Sequence, residues 1–178
     1  MSDKADFDYF MSCLIKAGTK IDSHYFKLPV AGAEKPIFRE QVYCYELYHQ
    51  LRCILGDDFP YKLDGEVDKA AHPILKGAKK PDFIVHVPGT MDRNLVVIEV
   101  KSVNEKTRIN GIRADLQKLR SFLDTAKYYR AIMLVYGDSE SSLPKRVRCE
   151  IDSLPREHAE HILLIWHKKP NAKPEVIK

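Results

Sequence analysis

The segment LVVIEVKS, residues 95–102, limits the possible folds of this chain more than any other stretch. Its first four residues are apolar and predict a buried β-strand, yet Glu99 and Lys101 follow in the same run. Charged groups are costly to bury unless they are paired, hydrogen-bonded or bound to a ligand. Because side chains alternate faces along a strand, Leu95, Val97, Glu99 and Lys101 share one face. This strand should therefore begin in the core and end in a cleft.

A second strand, DFIVHV (82–87), precedes it, and the connecting segment PGTMDRN carries turn residues. The two strands should form an antiparallel hairpin, which brings Asp82 near the end of the following strand. We predict the register that places Asp82 on the face of Glu99, or a bulge that restores it. If the Asp82 and Glu99 carboxylates lay on opposite faces of the sheet, they could not form one active site. The pairs in this register are Asp82 with Glu99, Ile84 with Val97, and His86 with Leu95.

Hydrophobic periodicity predicts the other elements. The expected fold is α/β, with a mixed central sheet flanked by helices, in one domain over residues 1–178. Its core spans about 37–137, with an N-terminal helix and loop over 1–36, a C-terminal helix and strand over 138–170, and a loose tail over 171–178. The predicted elements are a helix ending at Gly18, a loop over 19–36, helices over 37–55, 110–129 and 143–154, and strands over 61–71, 130–137 and 161–167.

Composition restricts the class of protein only broadly. The 178 residues, 44% hydrophobic and 30% charged, suit one globular domain. The net charge of +4 permits nucleic-acid binding without requiring it. No apolar run approaches the ~20 residues of a membrane span, and the start lacks the features of a signal peptide. We therefore expect a cytoplasmic protein. Four cysteines without a C-x-x-C pair favour reduced thiols over a zinc site.

Two carboxylates and one lysine at the end of a strand suggest metal chemistry. Mg²⁺ prefers carboxylate and carbonyl oxygens and keeps several waters. A metal held by Asp82, Glu99 and the backbone carbonyl of Val100 would relieve the repulsion between the two carboxylates. Lys101 could then orient a water or stabilise developing charge. The alternative is a structural cluster of ion pairs at the end of the sheet.

The stretch PDFIVHVPGTMDRNLVVIEVKS resembles the PD-(D/E)XK motif of the restriction-endonuclease-like nuclease superfamily. Pro81-Asp82 matches the first half of the motif, and Glu99-Val100-Lys101 matches the second. The predicted element order over residues 37–137 is similar to the α-β-β-β-α-β core of that superfamily. The resemblance implies Mg²⁺-dependent phosphodiester hydrolysis, usually of DNA. It also implies that Asp82 and Glu99 bind the metal and that Lys101 orients the attacking water or stabilises charge.

Further site residues follow from the same resemblance. Many members add an acidic residue from the first core helix, for which Glu46 is the better match and Glu40 the alternative. Glu66 on the first strand could also approach the metal. Positions on the second core helix could contact phosphates. Apart from the resemblance, the basic segment before Asp82 could contact the DNA backbone through its lysines, although a solvated loop explains that segment equally well. These positions are Gln117 and Lys118 on the helix, and Lys76, Lys79 and Lys80 before the strand.

The sequence thus predicts a divalent-metal-dependent nuclease that uses Mg²⁺, with Mn²⁺ as a substitute. DNA is the expected substrate, and RNA is an open alternative. Little chain remains for sequence recognition, so a partner subunit could supply specificity, and a homodimer would allow both strands to be cut. The rival prediction is a catalytically inactive nucleic-acid-binding or assembly subunit that retains the nuclease fold.

Overall fold

A computed structural model describes residues 3–66, 80–90, 92–104, 107–137 and 143–178. Over these ranges the chain forms helices around one six-stranded sheet. The helices are α1 (Asp3–Gly18), α2 (Ser23–Phe26), α3 (Glu40–Leu55), α4 (Ile109–Ala126), α5 (Lys145–Asp152) and α6 (Arg156–Ala159). The strands are β1 (Lys62–Gly65), β2 (Phe83–His86), β3 (Asn94–Ser102), β4 (Arg130–Tyr136), β5 (Ile162–His167) and β6 (Glu175–Val176).

The sheet is mixed, and its strand order follows the chain from β1 to β6. Strands β1, β2 and β3 are antiparallel neighbours, whereas β3, β4 and β5 run parallel. Helix α4 provides the crossover that parallel pairing of β3 with β4 requires. The predicted α/β class, with a mixed sheet flanked by helices, is confirmed. None of the helices in the described ranges has both the length and the apolar character needed to cross a membrane.

Helices cover both faces of the sheet. On one face, Phe10 of α1 and Leu47 and Leu51 of α3 belong to the larger hydrophobic cluster. On the other, Leu119 and Phe122 of α4 belong to a second cluster with residues of α5. Strand β4 lies between the two layers and is buried from its second residue to its last. Its continuous apolar run is what burial on both faces requires.

The hairpin of β2 and β3 has the predicted register at the end that concerns the site. Residues Phe83–Val85 pair with Ile98, Val97 and Val96, respectively. Beyond Val85 the register shifts, so that His86 pairs with Asn94, and the predicted pairing with Leu95 is wrong. The Asn94 side chain donates to the Ala126 carbonyl at 2.7 Å, while the His86 ring contacts Asp64 Oδ2 at 2.8 Å. These contacts join other elements, so the hairpin sequence alone does not reveal them.

Helix α3 begins at Glu40, three residues later than predicted. Ile37 forms an isolated antiparallel bridge with Leu28, and Arg39 is extended. The predicted loop over 19–36 contains the short helix α2, which Asp22 caps by accepting from two backbone N–H groups. The predicted strand over 61–71 is observed as β1, and its positions beyond residue 66 lie outside the described ranges.

The segment over 171–178 is not loose, and this prediction is wrong. Strand β6 pairs antiparallel with β5. The backbone N–H of Asn171 donates to the Ile21 carbonyl, and that of Ile177 donates to the Leu164 carbonyl, both at 2.8 Å. The last residues of a domain are usually poorly ordered, which suggested a loose tail, but an open edge of β5 offered backbone partners for it.

Candidate active site

Four elements bring charged side chains together at the C-terminal end of β3. The strand itself contributes two, and the residue before β2 contributes one. The first turn of α3 adds one from one face of the sheet, and the middle of α4 adds two from the other. These side chains are Glu40, Asp82, Glu99, Lys101, Asp115 and Lys118.

Asp82 is fixed to β3 through the backbone. Its Oδ2 atom accepts a hydrogen bond from the N–H of Val100 at 2.6 Å. In an extended strand the N–H and C=O of one residue point to the same side, so the Val100 carbonyl is directed towards the side on which Asp82 lies. Burial raises the pKa of Asp82 to about 6, although the Val100 N–H and Lys118 oppose that rise.

Glu99 is the most deeply buried carboxylate of the cluster, at 2% exposure. Its Oε2 atom accepts from Lys118 Nζ at 2.6 Å. Its Oε1 atom is buried and has no hydrogen-bond partner among the described residues. Burial, reinforced by the negative charge of Asp82, raises the pKa of Glu99 to about 8 despite the opposing effect of Lys118. A bound cation would relieve both the burial of this charge and its repulsion by Asp82.

Lys101 is held between two carboxylates. Its Nζ atom lies 3.0 Å from Glu40 Oε2 and 3.1 Å from Asp115 Oδ2. Burial alone would lower the pKa of Lys101, but Asp115 and Glu40 outweigh it and hold that pKa above its ordinary value. The side chain is therefore an ammonium at neutral pH and can donate hydrogen bonds. The other oxygen of Glu40 accepts from the N–H and hydroxyl of Ser102 at 3.1 and 3.0 Å.

An aromatic anchor explains why α3 reaches the end of β3. The Tyr43 ring stacks on Tyr136 of β4, with centroids 4.0 Å apart, and its hydroxyl contacts His167 Nδ1 of β5 at 2.8 Å. Burial lowers the pKa of His167 to about 4, so its ring is neutral at physiological pH. Glu40 lies three residues before Tyr43 and shares its side of the helix. Fixing Tyr43 against the sheet thus places Glu40 beside Lys101.

The residues present fit a divalent cation of the Mg²⁺ type. Four carboxylates and two ammonium groups give the cluster a formal charge of −2 when all are ionised. Within the described ranges, no three His, Cys, Asp or Glu side chains are arranged to hold a metal ion. Protein ligands would accordingly be Asp82, Glu99 and the Val100 carbonyl. Mg²⁺ is commonly bound through one or two carboxylates and fills its remaining positions with water and phosphate oxygens.

The structure brings Glu40, rather than Glu46, to this cluster. The two residues are six positions apart on α3, which separates them by about 240° around the helix axis. Glu46 instead accepts from Gln50 Nε2 at 2.7 Å. Glu66 follows β1 and lines a depression together with Asp82. Its carboxylate accepts from Gln41 Nε2 at 3.5 Å, and no described contact joins it to Glu99.

The predicted phosphate-contact residues have different positions. Lys118 belongs to the cluster through Glu99, and its Nζ atom also donates to the Lys80 carbonyl at 3.3 Å. Lys80 itself is exposed, as is Gln117 on the outer side of α4. Lys76 and Lys79 lie outside the described residues.

Sequence reasoning missed Asp115, whose side chain contacts both lysines of the cluster. A signal was available, because Asp115 lies next to the predicted apolar stripe of α4, three residues after Ile112 and one before Leu116. A carboxylate adjoining a buried stripe needs a partner. The identity of that partner depends on which strand the helix covers, which the helix sequence does not show.

Comparisons with known proteins do not assign the chain to a family. A scan against protein-family models and a search of curated proteins both found no match.

Proposed function

We propose that this protein is a divalent-metal-dependent nuclease with its active site at the end of β3. The observation that carries the proposal is the buried Glu99 carboxylate, with one unpartnered oxygen, beside Asp82 and an ammonium group fixed by two carboxylates. Such an arrangement suits a cation and a phosphate better than a self-contained set of ion pairs, because a net negative charge remains. The order α3-β1-β2-β3-α4-β4 supports kinship with the PD-(D/E)XK superfamily.

Asp82, Glu99 and the Val100 carbonyl would hold Mg²⁺, with Mn²⁺ as a substitute. When bound, the ion supplies charge neutralisation at the phosphate and a water of lowered pKa. In hydrolysis, the water oxygen bonds to phosphorus and releases a proton, the ester bond breaks, and the departing oxygen takes up a proton, so that the proton count balances. Lys101 donates to the oxygen on which negative charge develops. Because it is already protonated, Lys101 does not act as the base that removes the proton from water.

Glu40 acts through Lys101 and is a positioning residue. It fixes the ammonium group from the α3 side and anchors itself on Ser102. Lys118 supplies positive charge from the α4 side, where it can also meet a phosphate. DNA is the expected substrate on the resemblance, and cleavage of RNA under the same conditions would extend the substrate class.

Cleavage of labelled DNA in Mg²⁺ or Mn²⁺, with EDTA as control, tests this function. Wild-type protein should cut, and Lys101→Ala should cut at least ~100-fold more slowly, because a charge-stabilising donor is lost. Asp82→Asn and Glu99→Gln should abolish metal-dependent cutting. Equal cleavage by wild type and both carboxylate variants would place the activity elsewhere.

One observation favours the alternative of an inactive nucleic-acid-binding subunit. Lys118 Nζ already occupies one oxygen of Glu99 at 2.6 Å, so an ammonium group partly fills the place of a cation. If the wild-type protein binds DNA tightly but never cuts it in Mg²⁺ or Mn²⁺, this alternative replaces the nuclease proposal.

A further inference from the structure

A depression of about 400 Å³ adjoins the proposed active site on the α3 side. Asp82 belongs to its lining, so the depression borders the proposed metal site. Its lining includes the aromatic residues Tyr45, Tyr48 and Phe83 and the acidic residues Glu66 and Asp82.

Tyr45 is exposed, and its hydroxyl takes part in one hydrogen bond within α3. Its side chain is 61% exposed, so much of the ring is open to solvent. Its hydroxyl accepts a hydrogen bond from Gln41 Nε2 at 2.8 Å, and the same nitrogen lies 3.5 Å from Glu66 Oε1. Such a ring can offer a flat face to a ligand.

The wall behind Tyr45 is also ordered. The rings of Tyr48 on α3 and Phe83 on β2 are nearly parallel, with 16° between their planes and 6.3 Å between their centroids. Apolar ring surfaces with a few placed polar groups form the usual lining of a site for a flat heteroaromatic group.

We propose that this depression receives one unpaired base of the substrate strand, stacked on Tyr45, so that single-stranded or frayed nucleic acid is the preferred substrate. The inference rests on the proposed function, because it assumes that the phosphate next to that base lies at Asp82 and Glu99. A base within a duplex must leave its stack to reach an aromatic side chain, whereas a base in a single strand need not. Stacking on an aromatic residue tolerates any sequence, so this site would not by itself select one base over another.

Fluorescence anisotropy with a labelled 12-nucleotide single strand and its blunt duplex tests the inference, using the full chain with Ca²⁺ in place of Mg²⁺. The wild type should bind the single strand at least about tenfold more tightly than the duplex. Tyr45→Ala should lose about tenfold of the single-strand affinity and bring the ratio towards one. Tyr45→Phe keeps the ring and should retain most of the affinity.

Tyr9→Ala is the matched control, because Tyr9 is another exposed tyrosine, at 47%, but lies on α1. It should leave the affinity ratio unchanged. Unaltered single-strand binding by Tyr45→Ala, equal losses for both DNA forms, or no nucleic-acid binding at all would overturn the inference.

The two proposals fail in different ways. Tyr45-dependent binding of single strands without any cleavage in Mg²⁺ would support the base site and refute the nuclease. Cleavage that depends on Asp82 and Glu99 but is indifferent to Tyr45 and to strandedness would support the nuclease and refute the base site.

Discussion

At the scale of single residues, Glu99 is unusual because it is an ionisable side chain buried in a β-strand. It is almost fully buried, lies beside Asp82, and has one oxygen without a partner in the described part of the chain. Its raised pKa means that without a cation it holds a proton at neutral pH. Binding a divalent cation should release that proton, because a metal ligand must be deprotonated.

The stability of the metal-free protein should fall as pH rises from about 5 to 8. Across this window the folded state keeps a proton on Glu99, whose pKa is about 8, whereas the unfolded state has lost it. The unfolded state therefore binds fewer protons, and the free energy of unfolding falls with pH. One such group gives a slope of about 1.4 kcal/mol per pH unit. Asp82, with a pKa of about 6, adds to the slope below pH 6.

Urea unfolding in EDTA at successive pH values measures this slope. Glu99→Gln should flatten the part of the curve between pH 6 and 8, because the amide does not titrate. The same slope in wild type and Glu99→Gln would mean that Glu99 is not the group that titrates.

Glu40 and Glu46 form a matched pair on one helix. Glu40→Gln should slow cleavage by about 10- to 100-fold, the usual effect of losing a residue that orients a site, because Lys101 loses one of its two carboxylate contacts. Glu46→Gln should cut at the wild-type rate, because its contact is with Gln50. Single-turnover rates with saturating protein compare the two. A larger loss for Glu46→Gln would show that the wrong face of α3 has been assigned to the site.

At the scale of secondary-structure elements, Gly137 controls how closely the ends of β3 and β4 approach. The Val103 N–H donates to the Tyr136 carbonyl at 2.8 Å, and the Gly137 N–H donates to the His167 carbonyl at 3.2 Å. A Cβ atom at Gly137 would collide with the backbone carbonyl of Val103. The glycine is needed for this close approach, which supports the strand end that carries Lys101.

Gly137→Ala should destabilise the protein by about 1–3 kcal/mol, as overpacking does. Gly111→Ala is the control, since a Cβ there meets nothing within 4 Å, and alanine in helix α4 should stabilise by up to about 1 kcal/mol. In urea unfolding, the midpoint should fall for Gly137→Ala and rise for Gly111→Ala relative to the wild type. A neutral Gly137→Ala would mean that β3 and β4 can separate at little cost.

Some features of these elements could be predicted from the sequence, and others could not. Alternation along LVVIEVKS was sufficient to predict the register beside Asp82. Glu99 and Lys101 share one face of the strand with apolar residues, so one pairing satisfied both the charged and the apolar positions. The shift at His86 was not predictable, because it accompanies the hydrogen bond from Asn94 to Ala126 of a distant helix. The choice between Glu40 and Glu46 depends on Tyr43 meeting Tyr136 and His167. These contacts join residues far apart in the chain, so periodicity within one helix does not encode them.

At the scale of the whole molecule, the site exists only where both helix layers meet the sheet. The α3 layer supplies Glu40, and the α4 layer supplies Asp115 and Lys118. Strand β3 supplies Glu99 and Lys101, and the residue before β2 supplies Asp82. A cation bound there stabilises the assembled fold relative to the unfolded chain, because the unfolded chain has no such site. The proposed function requires this junction to hold a divalent cation.

Electron paramagnetic resonance measures Mn²⁺ binding at this junction, because free and bound ion give distinguishable signals. The measurement uses the full chain with a single-stranded oligonucleotide that carries nuclease-resistant phosphorothioate links. Wild-type protein and Glu46→Gln should bind Mn²⁺ equally, while Asp82→Asn and Glu99→Gln should bind it at least about tenfold more weakly. Equal binding by all four proteins, or no binding by the wild type, would show that Asp82 and Glu99 do not hold a divalent cation.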